Sequence, residues 1–304
     1  MAVTHFAEER ALADQLRHMN PAWLLAAVAL QLGTYVCAAG VWWCALRERA
    51  TRSRFVSLVP LGLAKLFTDQ AVPSAGLSGT LLVVRGLARR GVARGDAMAA
   101  MLAGLASFYA AYALAVGVAV VALWRVGELN PFLLALASVL GVIAALVPAA
   151  VLGLRGRLAP RLAAASQRLP GVRALSAALA EVPSGALGQP RVAVETIALQ
   201  LAVFVLDAAT LAVMLAATGA AAPFPIVFVS FVFASVVATL ALVPGGIGTF
   251  EGSSVVMLHA HGVQLEAALA ATLLLRGFTF WLPMLPGLVL ARRELRATGA
   301  ASTP

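Results

Sequence analysis

Charge is what this sequence has least of. Asp, Glu, Lys and Arg make up 12% of its 304 residues, where a soluble domain of that size carries about a quarter. So thin a polar coat excludes a soluble globular fold. Lysine is all but absent: Lys65 is the only one, so arginine supplies nearly all of the +9 balance. The arginines stand in loops between apolar runs, which reads as topology signal and headgroup contact rather than a nucleic-acid surface. Of the two cysteines, Cys37 and Cys44 fall on one helix, about 10 Å apart along its axis, too far for a bridge within it; both read as packing residues. Short catalytic signatures are missing as well: no Walker A loop, no G-x-S-x-G, no H-E-x-x-H and no cysteine cluster. An ATP-driven pump in one chain is excluded, and no catalytic residue or cofactor is expected. His259 and His261 alone do not make a metal site, so no metal is expected either.

Apolar residues are abundant, at 62%. They come in runs of about 20, enough to cross a hydrocarbon core about 30 Å thick. Inside lipid every backbone polar group needs an internal partner, so such runs must be helices. The expected class is therefore all-α: a polytopic membrane protein of about five spanning helices. These are placed at 22–46, 97–124, 131–154, 192–217 and 264–291. Trp23, Trp42 and Trp43 are expected as interfacial anchors of the first. Residues 1–20, which lack an apolar core that would make a signal peptide, read as an amphipathic surface helix. Residues 21–296 form one integral membrane domain, the basic loop 155–191 contains a surface helix, and 297–304 are a disordered tail.

Two stretches do not fit a simple span. "FVSLVPLGLAKLFTDQ" is followed by "AVPSAGLSGT", broken at Pro73, and the apolar run then reaches only Val84 before Arg85. Later, the run 226–243 meets "LVPGGIGTFEGS" and a short segment to about 262. The second halves are too short to cross, so each stretch reads as a re-entrant hairpin of two half-helices. The basic loops at 47–54, 85–94, 155–191 and 292–296 are expected in the cytoplasm, with the weakly charged loops 125–130 and 218–225 outside. That puts the N-terminus outside and the C-terminus inside. The order of spanning helix, broken pair and spanning helix occurs twice, at about 21–124 and 190–291. The odd helix 131–154 turns the second unit upside down. Inverted units interrupted at matching places point to a transporter site near the midplane.

The chemistry sits at the breaks. Pro244 removes a donor, and Gly245, Gly246 and Gly248 admit backbone shapes closed to other residues. The helix that restarts, with Thr249 as its N-cap, would present free N–H groups and a positive dipole end, which attract an anion such as phosphate. Glu251 in its first turn would be stabilised there or would compete for the place. "PSAGLSG" offers a second such end, with Ser74 and Ser78 as hydroxyl donors. The plainer alternative is that the glycines let half-helices pack closely. Ionisable residues at membrane depth are functional candidates: Arg276 and Asp207 near the middles of their helices, Lys65 and Asp69 four apart on the first half-helix, and Arg85 closing the first hairpin. Structural pairing, Asp207 or Glu251 with Arg276, is the alternative.

With "QAVPSAGLSGTLLVVRGLARRGV", "LVPGGIGTFEGS" and "LLLRGFTFWLPMLPGLVLARRELR" quoted, the chain resembles the membrane (flippase-like) domain of lysylphosphatidylglycerol synthases, over about residues 20–296. Pro73, Gly76, Gly79, Pro244, Gly245, Gly246, Gly248, Glu251 and Arg276 match the motif positions. The resemblance implies translocation of a lipid whose headgroup is made elsewhere: a phospholipid, a glycolipid, or a polyprenyl-linked or hopanoid lipid. Two departures stand out. No soluble aminoacyl-transferase domain follows residue 304, so lysylation by this chain is not expected. Residues 1–20 also stand where the family has a further spanning helix, in keeping with an outside N-terminus.

The expected function is thus a lipid translocase of the bacterial cytoplasmic membrane, with the headgroup in a polar cavity between the hairpins. Pro73, Ser74, Gly76, Ser78, Gly79, Arg85, Pro244, Gly245, Gly246, Gly248, Glu251 and Arg276 would line the substrate path. Lys65, Asp69 and Asp207 would gate or couple it. The expected partners are membrane lipids and a lipid-modifying enzyme or glycosyltransferase, with no nucleic acid; a homo-oligomer stays open. The alternatives are a membrane enzyme or accessory subunit acting on lipid carriers, and an ion-coupled small-solute transporter.

Overall fold

The structure is a computed structural model, and it describes residues 20–47, 54–71, 77–127, 131–153, 189–241 and 243–299. The expected N-terminal surface helix and the loop helix of 155–191 lie outside these residues, as do Pro73, Ser74 and Gly76. Every regular element among the described residues is helical. The long helices are α1 (Pro21–Leu46), α4 (Arg94–Val126), α5 (Pro131–Gly153) and α6 (Pro190–Ala217). The short ones are α2 (Leu58–Ala71), α3 (Leu77–Arg89), α7 (Phe224–Leu240) and α8 (Thr249–Ala260). The chain closes with α9 (Leu265–Arg276), a π-helical turn (Gly277–Trp281) and α10 (Leu282–Gly299), which run on as one rod.

The starts of the long helices follow from sequence. Proline opens α1, α5 and α6, where its missing N–H costs nothing and its φ is already helical. The Asn20 side chain accepts the Ala22 N–H at 2.9 Å and caps α1. Once begun, each long helix runs through apolar sequence, and α1, α4, α6 and the α9–α10 rod are long and apolar enough to cross a membrane. α5, with 23 residues, spans about 34 Å at the helical rise. Leu25, Leu32, Leu114, Val118, Leu146 and Leu285 point outward into the surroundings. Such faces would aggregate in water and are solvated by lipid. The chain is a polytopic, all-helical, multi-pass membrane protein.

The half-helices behave differently. α3 and α8 have 13 and 12 residues, about 20 Å and 18 Å, short of a hydrocarbon core. α2 packs along α3, and α7 along α8. These are two re-entrant hairpins, at the places where the sequence breaks its apolar runs.

By compactness the chain divides into two units, each with one hairpin. The first contains residues 20–34, 116–137 and 204–282 of the described chain, and so the α7–α8 hairpin; the second contains 35–115, 138–203 and 283–299, and so the α2–α3 hairpin. In the second unit, Leu46, Leu58, Leu61, Val83, Leu87, Ala97 and Ala100 form a fully buried core with Ala291 of α10 at its edge. Small residues set the approach distances, as in lipid generally. A methyl added to Gly287 would lie 2.8 Å from the Leu63 carbonyl oxygen and 2.7 Å from Phe67 Cβ, so α10 presses directly on α2. In the first unit, Val227, Val232, Phe233 and Val236 of α7 are buried, along with Leu258 of α8 and Ala268, Ala271 and Leu275 of α9.

Four expectations change. Trp42 is not an interfacial anchor: it is buried in the second unit's core, beside the bare faces of Gly62 and Gly104. Trp23 and Trp43 remain more than a third exposed. Arg85 does not close the first hairpin, because α3 continues to Arg89; the helix ends there only when the turn at Arg90–Gly91 intervenes. The last span is not one regular helix. Pro283 and Pro286 cannot donate to the preceding turn, and the rod widens into the π turn just before them. The basic residues Arg292, Arg293 and Arg296 lie on α10 itself, which continues to Gly299, past the start of the expected tail.

Candidate functional site

The break after α7 folds into a 3₁₀ turn, Pro244–Gly246, and α8 restarts at Thr249. Gly245 and Gly246 both adopt left-handed φ, 65° and 64°. Here the backbone needs glycine twice over. A Cβ on Gly246 would sit 2.8 Å from Ala238 Cβ, and one on Gly245 would sit 2.7 Å from the Phe280 ring. The tight turn therefore lets α8 fold back onto α7 and packs Gly245 against the Phe280 ring.

The N-cap of α8 is Gly248, not Thr249. Thr249 is the first helical residue, and its hydroxyl donates to the Gly246 carbonyl at 3.0 Å. A glycine cap has no side chain to accept an N–H of the first turn, so only the reciprocal bond of a capping box can form. Glu251 Oε2 accepts the Gly248 N–H at 2.7 Å, the returning half of a capping box. Its other oxygen, Oε1, accepts from Arg276 Nε at 2.7 Å. Arg276 Nη2 donates to the Gly245 carbonyl at 2.5 Å. The guanidinium carbon stands 4.6 Å from the Phe280 ring centre and 5.3 Å from that of Phe250, within cation–π range of both. The Arg276 and Glu251 side chains are only 14% and 16% exposed. One charge pair, a helix end, a carbonyl and two aromatic faces thus meet at the tip of the hairpin, and the π turn of the last rod begins one residue after Arg276.

The other hairpin repeats the device with different parts. Lys65 and Asp69 pair across one turn of α2, as their spacing predicts. Asp69 Oδ1 accepts the Gly79 N–H at 3.0 Å, in the first turn of α3. A methyl on Gly79 would overlap the Asp69 carboxylate. Ser78 donates to the Thr68 carbonyl at 3.3 Å. In each hairpin, then, the second half-helix begins on a carboxylate that is also paired to a cation.

Asp207 stands apart. It pairs with neither Arg276 nor any other described cation; its Oδ1 accepts from Gln31 Nε2 at 3.0 Å. Arg85 is exposed on α3 and joins none of these networks. His259 and His261 each turn Nδ1 to a backbone carbonyl, of Val263 at 2.9 Å and Met257 at 2.6 Å. Among the described residues, no group of three or more His, Cys, Asp or Glu is placed to hold a metal. Cys37 and Cys44 are free thiols.

Sequence reasoning did not find Phe250 and Phe280, the Gln31 partner of Asp207, or the ion pairs gathered on two carboxylates, Glu294 and Glu195. Arg89 and Arg90 both pair with Glu294 of α10, and Arg47 bonds Glu195 at 2.5 Å. The aromatics carried a usable signal: Phe250 follows the glycine break and Phe280 lies four after Arg276, one turn along.

The family described as "Lysylphosphatidylglycerol synthase TM region" matches residues 3–287. This is a family of polytopic membrane regions associated with lipids, and the chain belongs to it. Among curated proteins no match is found.

Proposed function

We propose that the chain is a lipid translocase, carrying an anionic or isoprenoid-linked lipid across the bacterial cytoplasmic membrane without making or breaking covalent bonds in it. The observation behind this reading is the Arg276 assembly. Its guanidinium is held at a hairpin tip by a carboxylate and a carbonyl, beside the N–H groups that open α8. Arginine presents a planar fork that fits phosphate as well as carboxylate, and a helix N-terminus favours the same charge. Glu251 fills the position that an incoming phosphate would take. Exchange of one anion for the other lets the site accept a headgroup without leaving a charge bare. Asp69, on the Gly79 N–H and Lys65, is suited to the same exchange at the first hairpin. The lipid tails stay in the bilayer, and the headgroup is made by a separate lipid-modifying enzyme or glycosyltransferase.

The twice-occurring order of long, short, short and long helices, with α5 between, supports an inverted pair of units. Charge supports the orientation. Among the described residues of the first unit the only arginines or lysines are Arg125 and Arg276, while the basic clusters fall in the second. By the positive-inside rule the ends bearing those clusters face the cytoplasm, which leaves the N-terminus outside and the C-terminus inside.

The test is reconstitution with headgroup-labelled lipids, comparing wild type, Arg276→Ala and Glu251→Gln with empty vesicles. Lipid movement in wild type, lost in Arg276→Ala and altered in Glu251→Gln, is the expected result. Equal movement in all four rejects a translocase, and release of a chemically altered lipid points to an enzyme instead.

A further inference from the structure

Glu251 and Asp69 each spend one oxygen on a cation and the other on a backbone N–H. Asp207 has no such compensation. It stands at position 18 of the 28-residue α6, with about 15 Å of apolar helix beyond it. The Gln31 amide uses both its hydrogens, one on Asp207 Oδ1 and one on Thr210 Oγ1, each at 3.0 Å. The Thr210 hydroxyl is committed to the Leu206 carbonyl at 2.9 Å, so it cannot donate to Asp207. One neutral N–H on Oδ1 is therefore the whole donor set that the described residues give this side chain.

A carboxylate has about four acceptor sites, and at membrane depth an ionised one is stabilised by two or three donors or by a cation. One amide suits a carboxylic acid instead: Oδ1 as the carbonyl that accepts from Gln31, Oδ2 as the hydroxyl that carries the proton. Among the described residues no ion pair supplies the missing charge, and Gln31 is its side-chain partner. α1, which brings Gln31, has no Asp, Glu, Lys, Arg or His; its ionisable side chains are Tyr35, Cys37 and Cys44, neutral near pH 7. On α6 the others are Arg191 and Glu195, about four and three turns back, and Glu195 is taken by Arg47 and Arg191. Gln31 is 5% exposed and Thr210 fully buried, but Asp207 itself is only half-buried, so a proton can reach it.

We propose that Asp207 is a proton-binding site: its carboxylate takes up one proton on Oδ2 and releases it again, with Gln31 holding the side chain in one orientation through both states. That the proton drives lipid movement rests on the translocase reading; that it binds does not. The competing explanation is polar glue between α1 and α6. Asparagine would serve that purpose equally, since it keeps the oxygen that accepts from Gln31.

The experiment is infrared difference spectroscopy of the full chain in lipid nanodiscs, stepped between mildly acidic and mildly alkaline buffer. Wild type is expected to show the C=O stretch of a protonated carboxylic acid, worth one proton per chain. Asp207→Asn should abolish that band while leaving the thermal midpoint nearly unchanged, and Gln31→Leu should move it to higher frequency by freeing the carbonyl. A band that persists in Asp207→Asn, or no band in wild type, overturns the proposal. If Asp207→Asn does not fold, Asp207→Glu decides: the band must shift, and an unshifted band overturns it. A band without lipid transport in the vesicle assay sinks the translocase reading alone, and transport without a band sinks this one alone.

Discussion

Replacing Arg276 by alanine should be among the most damaging single changes in the first unit. The substitution removes the Nε bond to Glu251, the Nη2 bond to the Gly245 carbonyl and contacts with two aromatic faces. Breaking a buried pair by removing one partner costs about 3–5 kcal/mol, because the other charge is left uncompensated. Glu251 keeps its bond from the Gly248 N–H, which lowers this to about 2–3 kcal/mol by the worth of a charged hydrogen bond. The lost cation–π contacts add about 1 kcal/mol. The expected sum, about 3 kcal/mol, is roughly a hundredfold in the unfolding equilibrium.

The assay is reversible unfolding in mixed micelles, followed by tryptophan fluorescence, with Trp281 next to the site as reporter. Arg276→Lys should cost less, about 1 kcal/mol, since it keeps the charge and loses the fork. Glu251→Gln should be coupled to it: the double variant Arg276→Ala, Glu251→Gln should be more stable than the two single losses summed, by at least about 1 kcal/mol. If the two losses add within about 0.5 kcal/mol, the charges do not interact and the account of this site is wrong.

Two further outcomes test the backbone. Gly246→Ala and Gly248→Ala both place a side chain at positive φ, but a methyl at 246 would meet Ala238 at 2.8 Å and one at 248 meets nothing within 4 Å. The second should cost about 1 kcal/mol in strain and the first about 2–4 kcal/mol through added overpacking; equal losses in the same unfolding assay would mean the hairpin turn is looser than described. Gly287→Ala should lower stability by about 1–3 kcal/mol, as expected for overpacking, because the atom in its way is the Leu63 backbone oxygen; an unchanged midpoint would show that α10 and α2 separate easily.

The membrane class, the spanning helices and both hairpins were legible in the sequence because each is imposed by solvent and by local chain chemistry. A long apolar run in lipid has no choice but helix, and proline with several glycines ends it wherever they fall. That is why the first four spanning helices stand within a few residues of their expected ends, and why "LVPGGIGTFEGS" was recognisable as a break. Lys65 and Asp69 were legible for the same reason, since helical spacing alone brings them together.

What only the tertiary structure decided is which charge meets which. Arg276 had two candidate carboxylates, Asp207 and Glu251, at membrane depth, and no periodicity chooses between them. The fold gives it Glu251, 25 residues away, because the left-handed glycines fold α8 back onto α7 and its first turn then meets the end of α9. Asp207 is left with the amide of Gln31, 176 residues away. The same holds for Trp42, an interfacial residue by position and a core residue by contact, because glycines on the helices facing it leave room for the ring. Local propensity and solvent set where the chain runs straight and where it turns. Close approach between distant segments, measured in the absence of a single Cβ, sets which side chains share a site.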